Sequence, residues 1–572
     1  MCSVDGFTGN QPFTIEQFAS YNQNRGPDAT NYYKTPEVSI AHSLLAISPN
    51  VQMISQPIVE HKTGNVLAYN GEIYGVPGFD TEWLFDKINN ESVARLKNNV
   101  NGMWAFAYYE PLKYTITLCR DHFGVKPLYY MVHDGELFFS STPKPLYAVL
   151  NGLGKNVSFD KTGKRVFEEN DRFLFGTTTP FKYIKKLGPG QVLIWSLQKK
   201  EFIASDSMWG NDRSKFSLLT NLNWDPEELK ELMVKCITEV GTAPGIKKAV
   251  SLSGGLDSTL IASINRNQDN LFCATMAYEE RKNYWDTTNS KMFDESKLAI
   301  QTAKDYDLEI KVKTMPMDFN VHTQQAYWDL GVPMWDRNRI VPRHLNVLNA
   351  KENDAKIYMV GDLADELVSG YSGDFDYFRD SKPWLNREMF IKFGEVSKKY
   401  ELMREYFPLH SFADDGINNK LFTRIMMHSD GFCTTIDHLC GAHGMESRVP
   451  FLHQELARYL MTIPSAIKLF VPFHIEPEQR NVYKGIYKYV FREFMKDYLP
   501  PHIIDRKNKA GFAAPWNSRN RQLNHMIGEE DLELVKTQSR KFYQIGVDLQ
   551  PVFEYNDDSI VYNISNGEVE DG

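Results

Sequence analysis

The spacing of apolar residues changes once along the chain, and this change constrains the fold more than any other feature. Over residues 1–205, short strand-like runs are separated by turn residues such as Asn70–Gly71 and Asp134–Gly135, which predicts stacked antiparallel sheets. Two segments, 81–84 and 91–98, have the pattern of helices that cover a sheet, so we expect an αββα sandwich. The predicted strands are 66–69, 104–109, 115–119, 127–132, 136–140 and 191–195.

A polar stretch at 206–224 interrupts the pattern and is the predicted linker. Beyond it, apolar strand candidates at 249–252, 271–277, 310–312 and 357–360 alternate with helical stretches such as 294–306. This alternation is typical of a parallel sheet with helices on both faces, whose ligands bind beyond the carboxyl ends of the strands. The predicted plan is therefore an α+β domain over 1–205, an α/β domain over 225–525 and an acidic C-terminal extension over 526–572.

Composition and charge narrow the functional classes. The net charge of -9 over 572 residues argues against a nucleic-acid surface, which needs clustered basic residues. No apolar run approaches the roughly 18–20 residues of a membrane span, and the first residues lack the pattern of a signal peptide. We expect a cytoplasmic protein that acts on small molecules, with no nucleic-acid or membrane partner; a homodimer is one possible assembly.

The six cysteines are scattered, with no CxxC pair and no Cys/His cluster at zinc spacing. The sequence therefore predicts neither a disulfide framework nor a structural metal. Cys119, Cys236 and Cys273 lie in apolar patterns and are interpreted as buried packing residues. Cys2 differs from them, because removal of Met1 would place its thiol beside its own α-amine, which can accept the thiol proton near neutral pH. That arrangement is typical of N-terminal nucleophile hydrolases.

The hexapeptide SGGLDS stands between a predicted strand and a predicted helix. Its glycines let the backbone approach an anion closely, and its hydroxyls and free amides can donate hydrogen bonds to phosphate oxygens. It is similar to the pyrophosphate loop of ATP pyrophosphatases and lacks the ending of a Walker loop. The predicted ATP and pyrophosphate ligands are Ser253, Gly254, Gly255, Asp257 and Ser258.

A second acidic segment, 361–366, follows the predicted strand that ends at Val360. Nucleotides arrive with Mg²⁺, which prefers hard oxygen ligands. Loops at the ends of parallel strands face one crevice, so we expect Asp257 and Asp365 to form a magnesium pair. The alternative is that Asp362, Asp365 and Glu366 only cap the following helix as acidic residues of its first turn.

Together, Cys2 and SGGLDS resemble glutamine-dependent asparagine synthetases, and the resemblance covers nearly the whole chain in the same order. It implies an N-terminal glutaminase domain and a C-terminal synthetase domain that uses ATP and Mg²⁺. The motifs that carry it are RGPD (25–28), NGEIY (70–74), DTE (80–82), GMWAFA (102–107), RDHFGVKPLYY (120–130), SGGLDS (253–258), DE (365–366), GY (370–371), ESRVPFL (446–452) and KAGF (509–512).

The resemblance also implies roles for residues of the first domain. The Cys2 thiol attacks the side-chain amide of glutamine and frees ammonia, which an internal tunnel carries to the second domain. The Asn70 side chain and the Gly71 amide form the oxyanion hole. Glu72 and Asp80 match positions that hold the α-amino group of glutamine.

For the second domain, the resemblance implies that ATP converts the side-chain carboxylate of aspartate into an acyl-adenylate, which ammonia then attacks. Gly361 belongs to the nucleotide-binding set. Asp362 matches a position that assists this attack, and Lys509 matches a lysine that neutralises charge on the phosphates.

Several positions depart from the family pattern. Leu44 stands where an arginine usually grips the α-carboxylate of glutamine, and Asp362 often has glutamate as its counterpart. His438 stands where arginine is frequent, and His453 where aspartate is common. Two alternatives therefore stay open: an amide synthetase for another carboxylic acid, and a catalytically impaired homologue with a binding or regulatory role.

Overall fold

The computed structural model describes most of the chain. The described residues are 2–47, 55–93, 96, 100–153, 177, 179, 181–208, 224–278, 295–316, 320–332, 337–371, 416–468 and 486–506. None of the helices within these ranges is long and apolar enough to cross a lipid bilayer.

Two six-stranded sheets form the first domain. Their strands are β1 (Ser3–Thr8), β2 (Ala29–Lys34), β3 (Val38–Leu44), β4 (Ile58–Val59), β5 (Val66–Ile73), β6 (Gly102–Glu110), β7 (Thr115–Arg120), β8 (Tyr129–His133), β9 (Glu136–Ser140), β10 (Lys185–Lys186), β11 (Gln191–Ser196) and β12 (Glu201–Ser207). One sheet has the order β10-β8-β9-β1-β3-β2 and the other β12-β11-β7-β6-β5-β4. All neighbouring strands in both sheets pair antiparallel.

Helices cover the outer faces of both sheets. They are α1 (Ile15–Ser20), α2 (Asp80–Glu91) and α3 (Lys144–Gly152). An apolar layer that includes Val4 and Ala68 fills the space between the sheets. A second layer, around Phe7, joins α1 and α3 to the first sheet, and a third, around Leu84, joins α2 to the second sheet. This is the αββα layering that the sequence predicts. Of the two helices expected there, 81–84 lies within α2, whereas α2 ends at Glu91 and residues 94, 95, 97 and 98 of the second segment, 91–98, are outside the described residues.

A parallel five-stranded sheet forms the centre of the second domain, as predicted. Its strands are β13 (Lys248–Ser251), β14 (Leu271–Tyr278), β15 (Ile310–Met315), β16 (Ile357–Met359) and β17 (Glu446–Arg448), in the order β15-β14-β13-β16-β17. All four strand pairs are parallel. The three-residue β17 was not predicted, because its sequence, Glu-Ser-Arg, contains no apolar residue. Its polar side chains are nevertheless buried.

The helices of the second domain surround this sheet. They are α4 (Pro226–Gly241), α5 (Leu256–Asn265), α6 (Ser296–Asp305), α7 (Asn320–Leu330), α8 (Arg337–Glu352), α9 (Ala364–Val368), α10 (Gly416–Gly441), α11 (Gln454–Thr462), α12 (Ser465–Lys468), α13 (Tyr489–Phe494) and α14 (Pro501–Ile504). The core of this domain continues into the first domain through residues such as Met103 and Phe123, so the two domains share an apolar contact.

The two turns that the sequence predicts have different outcomes in the structure. The prediction of a turn at Asn70–Gly71 is wrong, because β5 runs through both residues and pairs with β6 along its full length. Gly71 serves the close approach of β5 to β6 and not a turn. A β-carbon on Gly71 would lie 2.3 Å from the Met103 carbonyl oxygen, so only glycine permits this packing. The predicted turn at Asp134–Gly135 is confirmed, with both residues at positive φ between β8 and β9.

Candidate active sites

Cys2 lies immediately before β1 and is partly buried. Arg25, from the RGPD motif, donates a hydrogen bond from Nε to the Cys2 carbonyl oxygen at 3.3 Å. Burial raises the pKa of the Cys2 thiol, while the positive amino terminus and a backbone hydrogen bond at Leu45 oppose that rise. The thiol therefore needs a nearby base to become a nucleophile, which is what a freed α-amine would supply.

The Asn70 side chain is completely buried on β5, and neither its nitrogen nor its oxygen has a hydrogen-bond partner within the described residues. An unsatisfied buried amide costs about 1–3 kcal/mol. A ligand that accepts a hydrogen bond from the side-chain nitrogen would recover part of this cost. The next residue, Gly71, carries the backbone amide that completes the predicted oxyanion hole.

Glu72 and Asp80 form an acidic pair beside these residues. Asp80 accepts hydrogen bonds from the Tyr69 hydroxyl at 2.7 Å and from the Ile73 amide at 3.1 Å, so its orientation is set by β5. Burial raises the pKa of Glu72, against the opposing charge of Arg448, and burial likewise raises the pKa of Asp80. An ammonium group bound between the carboxylates would lower both pKa values, which suits a pocket for an amino acid.

Buried ion pairs connect the first domain to the second. Arg25 Nη2 lies 2.7 Å from Asp437 Oδ2. Lys126 Nζ lies 3.7 Å from both Asp437 and Glu446, and Glu446 accepts a hydrogen bond from Arg448 Nε at 2.8 Å. Arg25, Lys126, Glu446 and Arg448 come from three motifs that are far apart in the sequence, RGPD, RDHFGVKPLYY and ESRVPFL, and they meet in this layer.

Leu44 is at the end of β3 and is 8% exposed. Its side chain has no donor, so the contact that an arginine would make with a carboxylate is missing at this position. His438, another departure, bonds through Nδ1 to the Leu330 carbonyl oxygen, and burial lowers its pKa well below the usual range. A neutral imidazole therefore occupies the position where arginine is frequent.

The SGGLDS loop connects β13 to the start of α5. The Ser253 and Ser258 hydroxyls are 3.1 Å apart, and the Gly255 amide donates to Ser253 Oγ at 3.3 Å. Gly254 has φ +73°, and a β-carbon there would lie 2.7 Å from the Leu298 side chain, so both conformation and space require glycine. The loop presents two hydroxyls and backbone amides at the carboxyl end of a central strand.

Two acidic residues meet at this loop on one buried ammonium. Lys488 Nζ contacts a carboxylate oxygen of Asp257 and lies 2.8 Å from Asp365 Oδ1. Burial alone would lower the pKa of Lys488, but the two carboxylates raise it above its usual value, so the side chain is positively charged. The paired hard oxygens fit a divalent cation as well as an ammonium, which makes this arrangement suitable for Mg²⁺.

Glycines hold the second acidic loop against the first. A β-carbon on Gly361 would lie 3.0 Å from both Asp257 Cβ and the Ser258 amide, and one on Gly370 would overlap Asp365 Oδ1 at 1.7 Å. Leu363 has φ 72°, a conformation that favours glycine, so the loop between these glycines is strained.

Asp362 is held by Arg343 in a bidentate pair, with distances of 2.5 and 2.8 Å. Glu366 is buried and accepts a hydrogen bond from the Tyr371 hydroxyl at 2.6 Å. Asp362, Asp365 and Glu366 thus each have a different side-chain partner. No described side chain caps the start of α9 by a hydrogen bond, so these residues do more than cap that helix.

Lys509, the predicted phosphate-neutralising lysine, lies outside the described residues, as does the predicted extension at 526–572. The sequence reasoning missed Lys488 and Arg343. Lys488 precedes α13 without a glycine-rich or acidic motif beside it, and Arg343 is inside α8. Only spatial proximity identifies both residues as partners of the acidic loops.

Comparison with known families agrees with this geometry. The glutamine amidotransferase domain family matches residues 1–207, and the asparagine synthase family matches residues 247–543, which is more than half of the chain. The chain belongs to the asparagine synthase family. It is therefore a ligase of this family that carries a glutamine amidotransferase domain.

Individual members of the asparagine synthase family are similar to the chain over most of its length. It is 23% identical to asparagine synthetase [glutamine-hydrolyzing] 1 of Bacillus subtilis, over 92% of this chain and 88% of that protein. It is 22% identical to asparagine synthetase B [glutamine-hydrolyzing] of Escherichia coli, over 89% and 81%. It is also 21% identical to the amidase chyE of Penicillium rubens, over 89% and 86%.

Proposed function

We propose that this protein is a glutamine-dependent, AMP-forming asparagine synthetase. Glutamine is hydrolysed at Cys2 through a thioester, and ammonia moves inside the protein to the second domain. There, ATP activates the side-chain carboxylate of aspartate as an acyl-adenylate, and ammonia displaces AMP to form the amide. The B. subtilis and E. coli relatives bear the name of this activity.

The observation that carries the glutaminase half is the buried, unpartnered amide of Asn70. The tetrahedral intermediate of amide hydrolysis carries a negative oxygen, and a prepositioned donor stabilises it by about 3–4 kcal/mol. Cys2 supplies the nucleophile, Gly71 a backbone donor, and Glu72 and Asp80 the carboxylates for the α-ammonium of glutamine.

In the synthetase half, ATP and pyrophosphate bind to Ser253, Gly254, Gly255, Asp257, Ser258, Gly361 and Lys509. Asp257 and Asp365 would hold Mg²⁺, which neutralises phosphate charge when bound. Lys488 adds a fixed positive charge between the same carboxylates and faces the loop that receives pyrophosphate.

Two variants test the division of labour. Cys2→Ala should lose glutamine-driven synthesis and keep ammonia-driven synthesis, because the second site is untouched. Asp257→Asn should lose both kinds of synthesis and keep glutamine hydrolysis, because it removes one carboxylate of the nucleotide site. Product amide and pyrophosphate are measured for both variants in parallel. Loss of ammonia-driven synthesis in Cys2→Ala would contradict the assignment of separate sites.

One observation favours a second acceptor class. Asp362, at the position implied to assist attack on the acyl-adenylate, has a shorter side chain than the glutamate that is frequent there, and Arg343 holds it in a bidentate pair. An amide synthetase for another carboxylic acid is therefore the second candidate. Pyrophosphate release with aspartate and with a panel of other carboxylic acids, followed by mass spectrometry with labelled glutamine, separates the two. Failure to bind ATP with Mg²⁺ would instead support the impaired homologue.

A further inference from the structure

A cysteine, a histidine and a carboxylate meet where α4 packs against the start of α11. One ligand atom from each of Cys236, His453 and Glu455 lies within 4.8 Å of the other two. Cys236 and His453 are buried, whereas Glu455 is exposed, so the cluster reaches solvent on one side. None of these residues has a role in the proposed synthetase mechanism.

The two ring nitrogens of His453 have different surroundings. Nε2 is 2.9 Å from Glu239 Oε2, so this nitrogen faces a carboxylate. Nδ1 is buried and has no hydrogen-bond partner among the described residues. Histidines that bind metals show this division, with one nitrogen free for the ion and the other donating to a carboxylate that fixes the ring.

Helices hold the four side chains. Cys236 and Glu239 are three residues apart on α4, which places them on the same helical face. His453 is the residue before α11, and Glu455 is in its first turn. A position held by helix geometry keeps its ligands in place before an ion arrives, which lowers the cost of binding.

We propose that Cys236, His453 and Glu455 bind a zinc ion, with Glu239 orienting the His453 ring. Thiolate, imidazole and carboxylate are all zinc ligands, and three protein ligands leave a fourth position for water. Lys235 Nζ is 2.8 Å from Glu455 Oε2, which leaves Oε1 for the ion. Binding forms the zinc–sulfur bond and releases the thiol proton to solvent.

The zinc site contacts the wall of the glutamine pocket. The Tyr74 ring stacks on the His453 ring with centroids 5.8 Å apart, and Tyr74 follows the strand that carries Glu72. A β-carbon on Gly75 would lie 3.0 Å from Glu239 Oε1, so this backbone passes close to the same carboxylate. An ion bound here would stabilise the contact between the domains as well as the packing of α4 on α11.

Cobalt(II) binding to the full chain tests the site, because a cobalt–thiolate bond has charge-transfer absorption in the near ultraviolet. The parent protein carries Cys2→Ala, which removes the one cysteine among the described residues that is not buried. We expect one equivalent of Co²⁺ with thiolate absorption, displaced by Zn²⁺. Cys236→Ser should abolish the absorption, Glu455→Gln should raise Kd at least tenfold, and Glu239→Gln should raise it about 10–100-fold.

Two controls locate the ion. Cys273→Ser changes another buried cysteine and should leave the absorption unchanged. His443→Asn changes a second His/Asp cluster, formed with Asp329 and His344, and should also leave it unchanged. Glu455→Gln alters an exposed side chain, so weakened binding with unchanged thermal unfolding in EDTA reflects a lost ligand. No thiolate absorption in the parent, or full absorption in Cys236→Ser, would overturn the proposal.

Discussion

Lys488→Met isolates the electrostatics of the nucleotide site. The ammonium contacts both Asp257 and Asp365 and is 4% exposed, while each carboxylate is 16% exposed. Removing one partner of a buried ion pair costs about 3–5 kcal/mol. Because these carboxylates keep some solvent contact, we expect the lower end, about 3 kcal/mol of unfolding free energy. For a chain of 572 residues, whose unfolding entropy is about 1.2 kcal/mol/K, that lowers Tm by about 2–3 °C.

Adding Mg²⁺ should distinguish the electrostatic effect of removing the Lys488 ammonium from a simple loss of side-chain packing. In the variant, the two carboxylates repel each other, and Mg²⁺ binding relieves that repulsion. Calorimetry in EDTA and in saturating Mg²⁺ should therefore show a larger rise of Tm in Lys488→Met than in the wild-type protein. Acidification should also reduce the difference in Tm between Lys488→Met and the wild type, because protonation of one carboxylate removes the repulsion.

Lys496→Met is the matched control. Its ammonium is 60% exposed and 3.7 Å from Glu493, so its removal should cost less than about 1 kcal/mol. Equal Tm values for Lys488→Met and the wild type in EDTA, or equal stabilisation of both by Mg²⁺, would refute the reasoning about the carboxylate pair.

The remaining predictions concern both sites. Asn70→Ala should lower kcat for glutamine hydrolysis about 10²–10³-fold without lowering Tm, because its amide has no partner to lose; a large Tm loss would contradict this. Gly370→Ala should abolish ATP–pyrophosphate exchange and spare glutaminase, because its β-carbon would displace Asp365; exchange at the wild-type rate would contradict it. The KM for glutamine should rise as pH falls through the raised pKa of Glu72, because a protonated carboxyl holds an ammonium poorly. Glu72→Gln should remove this dependence, with ATP–pyrophosphate exchange as the control.

Six strands of the first domain, two in one sheet and four in the other, and four of the five strands of the second domain could be predicted, because strand periodicity is local. Two of the strands that were missed show the limit of that reasoning. β2 is mostly exposed, and β17 is polar and buried, so neither has the apolar run that marks a strand. Asn70–Gly71 has the residues of a tight turn, yet the long pairing with β6 overrides that local preference.

The candidate sites divide in the same way. Motif composition placed Cys2 and the SGGLDS loop, because the chemistry of a nucleophile or a phosphate ligand limits which residues can serve. The sequence does not predict a shared site for Cys236 and His453. It predicts that Cys236 is a packing residue, and it marks His453 only as a departure from a family motif. Their proximity depends on how α4 and α11 pack, which no local pattern records.

The sequence by itself determined the order of the two domains, the glycine-rich loop after β13 and the identity of the groups that can attack, donate or bind. Tertiary structure decided which charges meet. Lys488 reaches Asp257 from 231 residues away, and Arg25 reaches Asp437 from 412. Local patterns follow from backbone geometry within a few residues, whereas these partners are selected by the packing of whole helices and sheets.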